Sequence, residues 1–123
     1  AGGMIAAIGA KGRRLSGYIA ETCPSVGGQI IMPEGFLRDV YARVRAAGGL
    51  CIADEVQTGL GRTGKLWGYE HAGIVPDVVT MAKAMGNGFP VGAVWATREA
   101  SAVFQPGDHG STYSGTAIAT AAV

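Results

Sequence analysis

Leu50-Cys51-Ile52-Ala53-Asp54-Glu55-Val56 is an apolar run that closes on two carboxylates, and it follows the helix-stopping pair Gly48-Gly49. Upstream of that pair, Glu34 to Ala47 carries Phe36, Leu37, Val40, Tyr41 and Val44 at helical spacing, which predicts an amphipathic helix. Leu15 to Thr22 precedes the helix as a further strand candidate. A strand-helix-strand order predicts parallel pairing through a right-handed crossover. Val78 to Ala82 and Val91 to Thr97 add two apolar runs, the second bounded by Pro90 and by Arg98-Glu99, which can open a short helix. The expected fold class is therefore α/β, a mostly parallel sheet with flanking helices.

Alternation along the decisive run sets Leu50, Ile52, Asp54 and Val56 on one face and Cys51, Ala53 and Glu55 on the other. An aspartate on an otherwise apolar face is costly to bury as an anion unless a cation meets it. Lys83 follows Val79 and Met81 on one face of its own run and stands just before the Gly86-Asn87-Gly88 turn, so its amine emerges at a strand end. Carboxyl ends of strands are where open α/β sheets bind ligands. One carboxylate and one amine there are what pyridoxal phosphate requires: an amine for its aldehyde and an anion to keep its pyridine nitrogen protonated. By spacing alone, an Asp-Glu pair at a strand end is more often a turn or helix cap, and a lysine before a glycine turn more often a solvated side chain.

The surrounding residues are more specific. Ala53-Asp54-Glu55-Val56-Gln57-Thr58-Gly59, Gly61-Arg62-Thr63-Gly64-Lys65, Pro76-Asp77-Val78-Val79-Thr80-Met81-Ala82-Lys83-Ala84 and Gly86-Asn87-Gly88-Phe89-Pro90-Val91-Gly92-Ala93 closely resemble, in this order, the class III pyridoxal-phosphate aminotransferases. The resemblance reaches upstream to Gly17-Tyr18-Ile19-Ala20-Glu21 and downstream to His109-Gly110-Ser111-Thr112-Tyr113, covering roughly Leu15 to the end of the chain. It implies part of the large pyridoxal-phosphate-binding domain of a fold type I transferase. Lys83 falls where the family has its Schiff-base lysine and proton carrier, and Asp54 where the family pairs a carboxylate with the pyridine nitrogen. Val56 matches the residue packed on the ring, and Gln57 the side chain that hydrogen-bonds the ring hydroxyl. Thr112 matches a threonine that reaches the cofactor phosphate of the neighbouring subunit, which implies a homodimer with the active site at its interface. Glu21 matches a glutamate at the substrate entrance that pairs, in many members, with an arginine nearer the C terminus.

The implied reaction moves an amino group from an amine or amino acid to an oxo acid, with pyridoxal 5'-phosphate as cofactor. Two departures qualify the branch. Thr22-Cys23-Pro24-Ser25-Val26-Gly27-Gly28-Gln29 stands where many members have Pro-x-Gln-Gly after the glutamate, and it resembles the alanine–glyoxylate aminotransferase 2-like proteins and the related phospho-lyases. Tyr113-Ser114-Gly115-Thr116-Ala117 replaces a frequent aromatic-Gly-Gly-Asn-Pro. A phospho-lyase acting on phosphoethanolamine-like substrates, and an incomplete, non-catalytic α/β piece, stand as the alternatives.

Composition bounds the rest. The 123 residues suffice for one modest core, and Gly, at 21 residues, is well above the usual frequency of about 7% and suits tight strand-to-loop corners. The chain does not open on Met, and Thr116 to Val123 starts an alanine-rich helix without a C-cap, so residues 1–123 are expected to be a fragment of the large domain, without the small C-terminal domain and an N-terminal segment. A net charge of +1 offers no basic stripe for nucleic acid, and apolar stretches broken by Gly and Pro offer no membrane span. Cys23 and Cys51 form no metal or disulfide pattern, so a reducing cytoplasm is expected.

Gly59-Leu60-Gly61-Arg62-Thr63-Gly64 also fits the dinucleotide fingerprint. Gly64, Leu66-Trp67 and Gly68 make a poor first helical turn, however, and Asp54-Glu55 would set anions near a pyrophosphate. The overlapping G-x-x-x-x-G-K through Lys65 has Leu66 where a P-loop needs Ser or Thr. His71 and His109 read as turn or surface histidines, each without a second ligand nearby in sequence.

Overall fold

The structure, a computed structural model, describes residues 1–123. In chain order it contains α1 (Gly2–Ala10), β1 (Gly17–Glu21), α2 (Phe36–Ala46), β2 (Leu50–Asp54), β3 (Val78–Met81), β4 (Ala93–Ala96), α3 (Arg98–Ser101) and α4 (Ala117–Ala121), with short 3₁₀ turns at Gly68–Ala72 and Lys83–Gly86. The four strands form one sheet in the order β1-β2-β3-β4. β1, β2 and β3 run parallel, whereas β4 returns antiparallel on β3, with Val79 opposite Trp95 and Thr80 opposite Val94. The fold is thus α/β with a mostly parallel sheet, as the strand-helix-strand order predicts.

The core sits between α2 and the sheet face that carries Cys51 and Ala53. Leu37, Val40, Tyr41 and Val44 recur at the helical period, so one stripe of α2 is buried, and it packs on Cys51 and Ile74. Tyr18 of β1 meets Tyr41 edge to face at 6.4 Å. The helix stops where expected: Gly48 takes φ 77°, and a Cβ on Gly49 would sit 3.1 Å from Val44 and 3.2 Å from Leu15. By contrast, α1 buries no residue, and its apolar side chains follow no helical stripe that the sequence could announce.

One expectation about the decisive run changes. The strand ends at Asp54, not Val56, because the Asp54 carboxylate captures the Val56 N–H (3.1 Å) and the chain turns through residues 56–63. Strand alternation therefore does not extend to Val56. The more deeply buried face is the one that carries Glu55: Cys51, Ala53 and Glu55 are enclosed, while Leu50 is exposed and Asp54 half-buried.

The opposite end of the sheet is fastened by Asp77. Its Oδ2 accepts the Cys51 N–H (2.7 Å), its N–H donates to the Cys51 carbonyl (2.7 Å), and its Oδ1 pairs with Arg45 (2.9 Å), which also donates to the Val75 carbonyl. The Arg45 pKa is raised, first by the hydrogen bond to Asp77. Because Arg45 is well exposed, the ion pair itself contributes little. Removing the acceptor of the Cys51 N–H costs about 1–3 kcal/mol. Asp77→Ala is therefore expected to lower the urea midpoint of the full-length protein, whereas Arg45→Ala should move it much less; equal shifts would place the stabilisation in the ion pair instead.

Candidate active site

The strand register brings three polar side chains into one row at the carboxyl ends: Glu21 pairs with Asp54, and Asp54 with Thr80. Lys83 follows three residues after Thr80, across Ala82, as the first residue of a 3₁₀ turn. The Asp54 carboxylate is half-buried, and both of its hydrogen bonds fall on Oδ1, from the Val56 N–H (3.1 Å) and the Thr80 hydroxyl (3.3 Å). Oδ1 is thereby fixed in direction, and Oδ2 is left to receive a donor from outside the chain. Thr80 escaped the sequence reading; its signal is a hydroxyl in an otherwise apolar strand, at the register position of the aspartate.

Lys83 is exposed and makes no ion pair, since Arg45 with Asp77 is the one ion pair in the chain. Asp54 and Lys83 therefore do not neutralise one another. The lysine backbone takes φ 51°, in the left-handed region that side chains with a Cβ avoid. Such strain persists where the surrounding structure imposes it, and it concentrates at functional sites. Left-handed backbone costs a residue with a Cβ about 1–2 kcal/mol. Apo Lys83→Gly is accordingly expected to unfold at a higher temperature than apo Lys83→Ala, the reverse of the usual order; the usual order would mean that the position is relaxed.

The remaining predicted residues lie at graded distances from this row. Val56 and Gln57 are half-buried in the turn that leaves β2. Glu21 accepts the Ser25 N–H on Oε2 (2.9 Å), which ties its carboxylate to the turn after β1. Thr112 stands apart from the row, exposed, in a segment whose hydrogen bonds are local, such as Tyr113 N–H to Ser111 Oγ (3.3 Å).

Glu55 is the polar residue whose role alignment along the strand did not announce. It is 2% exposed and accepts four hydrogen bonds, from the Thr22 hydroxyl (3.0 Å), the Thr58 hydroxyl (2.7 Å), the Gly68 N–H (2.8 Å) and the Tyr69 N–H (2.9 Å). A cavity of about 650 Å³ opens on its side of the sheet, lined by Thr22, Thr58, Gly68 and His71 among others, and it includes neither Asp54 nor Lys83. Size does not outweigh chemistry here, because the fixed carboxylate stands at the carboxyl end of β2 and the unpaired amine just past the carboxyl end of the neighbouring β3. His71 is committed to Thr63, with Nε2 at 3.0 Å from its carbonyl and 3.1 Å from its hydroxyl.

The donor set fits pyridoxal 5'-phosphate: a free primary amine, a carboxylate with one oxygen fixed and one open, and a hydroxyl that fixes it. Residues 4–123 match the family model described as Aminotransferase class-III. The chain belongs to the class III aminotransferase family. It is 46% identical over 108 residues to alanine–glyoxylate aminotransferase 2 homolog 2 of Arabidopsis thaliana, covering 88% of this chain and 23% of that protein. Among solved structures, an (S)-enantioselective omega-transaminase from Thermomicrobium roseum superposes with a TM-score of 0.85 at 35% identity, over 98% of this chain and 28% of that one. A phospholyase from Arthrobacter, solved in complex with phosphoethanolamine, superposes with a TM-score of 0.76 at 46% identity, over 79% of this chain and 23% of that one. The chain spans about a quarter of the length of these class III relatives.

Proposed function

We propose that the full-length protein to which these residues belong is a pyridoxal-phosphate-dependent transaminase, moving an amino group from an amine or amino acid to an oxo acid, and that this chain supplies the cofactor-holding core. The observation that carries the reading is the row at the strand ends: Asp54 held by Val56 and Thr80 with Oδ2 open, and Lys83 unpaired one strand away. Bound there, pyridoxal 5'-phosphate supplies an aldehyde that captures amines and a cationic ring that draws electron density from carbon. Asp54 would hold the ring nitrogen's proton through Oδ2, Val56 would pack against the ring, and Gln57 would hydrogen-bond the ring hydroxyl. Lys83 would bind the aldehyde through Nζ and, once an amino donor displaces it, carry a proton to and from the substrate carbon. Thr112 would serve the phosphate of a second subunit in a homodimer, and Glu21, tied by the Ser25 N–H, would face the substrate entrance.

A phospho-lyase reading keeps these roles and ends in expulsion of phosphate. The Arthrobacter phospholyase, at 46% identity, favours it as the second reading. The deciding experiment treats the full-length protein with pyridoxal 5'-phosphate and borohydride, then maps the modified peptide by mass spectrometry. A reduced adduct on Lys83 supports the assignment; an adduct on another lysine, or none, overturns it. Release of phosphate from phosphoethanolamine, measured beside amino transfer to oxo acids, separates the two readings.

A further inference from the structure

Asp54 is the last residue of β2, and the chain leaves the sheet immediately after it. A side chain at a strand end frays unless the following residue is pinned. Glu55 is pinned on every side. Its N–H donates to the Thr80 carbonyl (3.0 Å), extending the contact with β3 by one residue, and its carbonyl accepts the Gly59 N–H (2.9 Å). Its side chain, on the face opposite Asp54, binds Thr22 beyond β1, Thr58 in the turn, and Gly68 and Tyr69 at the start of the 3₁₀ turn. Each carboxylate oxygen receives two neutral donors, so the acceptor capacity that these segments meet is filled from three directions.

The packing around this carboxylate leaves no tolerance. A Cβ on Gly68 would stand 2.8 Å from the Thr58 Cβ and 3.2 Å from Glu55 Oε2, and one on Gly59 would stand 2.8 Å from the Glu55 carbonyl oxygen and 3.2 Å from its Cβ. Two glycines are thus required by close approach to one glutamate and its partner Thr58, an observation independent of the hydrogen bonds.

We propose that Glu55 is a positioning residue for the cofactor: by fastening the segment that follows Asp54, it sets the direction of the Asp54 carboxylate and the placement of Val56 and Gln57. This rests on the transaminase-core reading above. Glu55 touches neither the amine nor the proposed cofactor face; it acts through its neighbours in sequence. An amide at this position turns one acceptor oxygen into a donor facing a backbone N–H or a hydroxyl, so Glu55→Gln breaks the network while keeping its volume.

The test uses the full-length protein and three readouts: the dissociation constant for pyridoxal 5'-phosphate, the visible circular dichroism of the bound cofactor, and the unfolding temperature of the apo form. Wild type is first checked for the borohydride-trapped adduct on Lys83; its absence would sink the parent reading whatever Glu55 does. With the adduct present, Glu55→Gln is expected to raise the dissociation constant about 10- to 100-fold, the scale on which supporting hydrogen bonds tune a bound group, and to alter the dichroic band. Thr58→Val, which keeps shape and removes one donor, should move both in the same direction by less. Folded Glu55→Gln with wild-type affinity and dichroism, and only a lower unfolding temperature, would overturn the proposal by making Glu55 a purely structural residue. If Glu55→Gln fails to fold, Thr58→Val decides by the same comparison: a changed dichroic band with weakened cofactor binding supports the proposal, and an unchanged band with unchanged binding refutes it.

Discussion

Lys83→Ala in the full-length protein is expected to lose amino transfer, by at least the 10²- to 10⁴-fold that a positioned proton carrier contributes (about that range), while keeping some cofactor noncovalently. The structure separates this loss from misfolding. Lys83 is exposed and makes no ion pair, so truncating it removes no core packing, and its left-handed backbone gains nothing from the long side chain. Activity should therefore collapse while the unfolding temperature stays within a few degrees of wild type. Lys83→Arg is expected to fare no better, because a guanidinium keeps its proton under all working conditions and cannot carry one. Steady-state rates with an amino donor and an oxo acid, measured beside thermal unfolding, check both variants. Near-normal turnover by Lys83→Ala would refute the assignment outright.

How far the sequence reaches toward this site differs from residue to residue. The α2 stripe is legible because Leu37, Val40, Tyr41 and Val44 recur at a helical period and Gly48-Gly49 closes it. The order of β1, α2 and β2 then makes parallel pairing the natural outcome, and the row of Glu21, Asp54 and Thr80 follows from that register. Alternation also separates Asp54 from Glu55. It does not say which face is buried, since that depends on where α2 packs, and so the fully enclosed carboxylate is Glu55 while Asp54 is only half-buried. The strand's end is hidden for a related reason. Residue pattern marks Val56 as strand-like, but a side-chain capture of its N–H by Asp54 turns the chain first.

Backbone strain is legible only where residue type carries it. The Gly86-Asn87-Gly88 turn advertises itself, and Asn87 and Gly88 take φ 46° and 101°. Lys83 takes φ 51° with no such signature, because a lysine has no preference that would mark the position. The loop from Gly59 to Trp67 runs through turns and bends and opens no helix, and the following 3₁₀ turn gives its first two N–H groups to Glu55. A dinucleotide fingerprint would direct such N–H groups at a phosphate. Here a carboxylate of the chain itself occupies them, which is the physical reason the glycine spacing misleads.

Asp54→Asn isolates the charge of the strand-end carboxylate from its shape. The amide keeps an oxygen able to accept from the Val56 N–H and the Thr80 hydroxyl, so the turn after β2 has no reason to open. What changes is the second atom: an N–H₂ group replaces the oxygen that would hold the ring nitrogen's proton, and two donors then face each other. A ring that loses its proton is a poor acceptor of electron density. The turnover rate is expected to fall about 10²- to 10³-fold, the scale of losing one preorganised electrostatic partner, with the unfolding temperature of the apo protein near wild type. Asp54→Ala removes the turn's acceptor as well and should add a stability loss of about 1 kcal/mol to a rate loss at least as large. Rates and unfolding temperatures for the two variants together separate charge from geometry. If Asp54→Asn turned over like wild type, the carboxylate would be a turn-former only, and the pairing of Asp54 with Lys83 would lose its chemical basis.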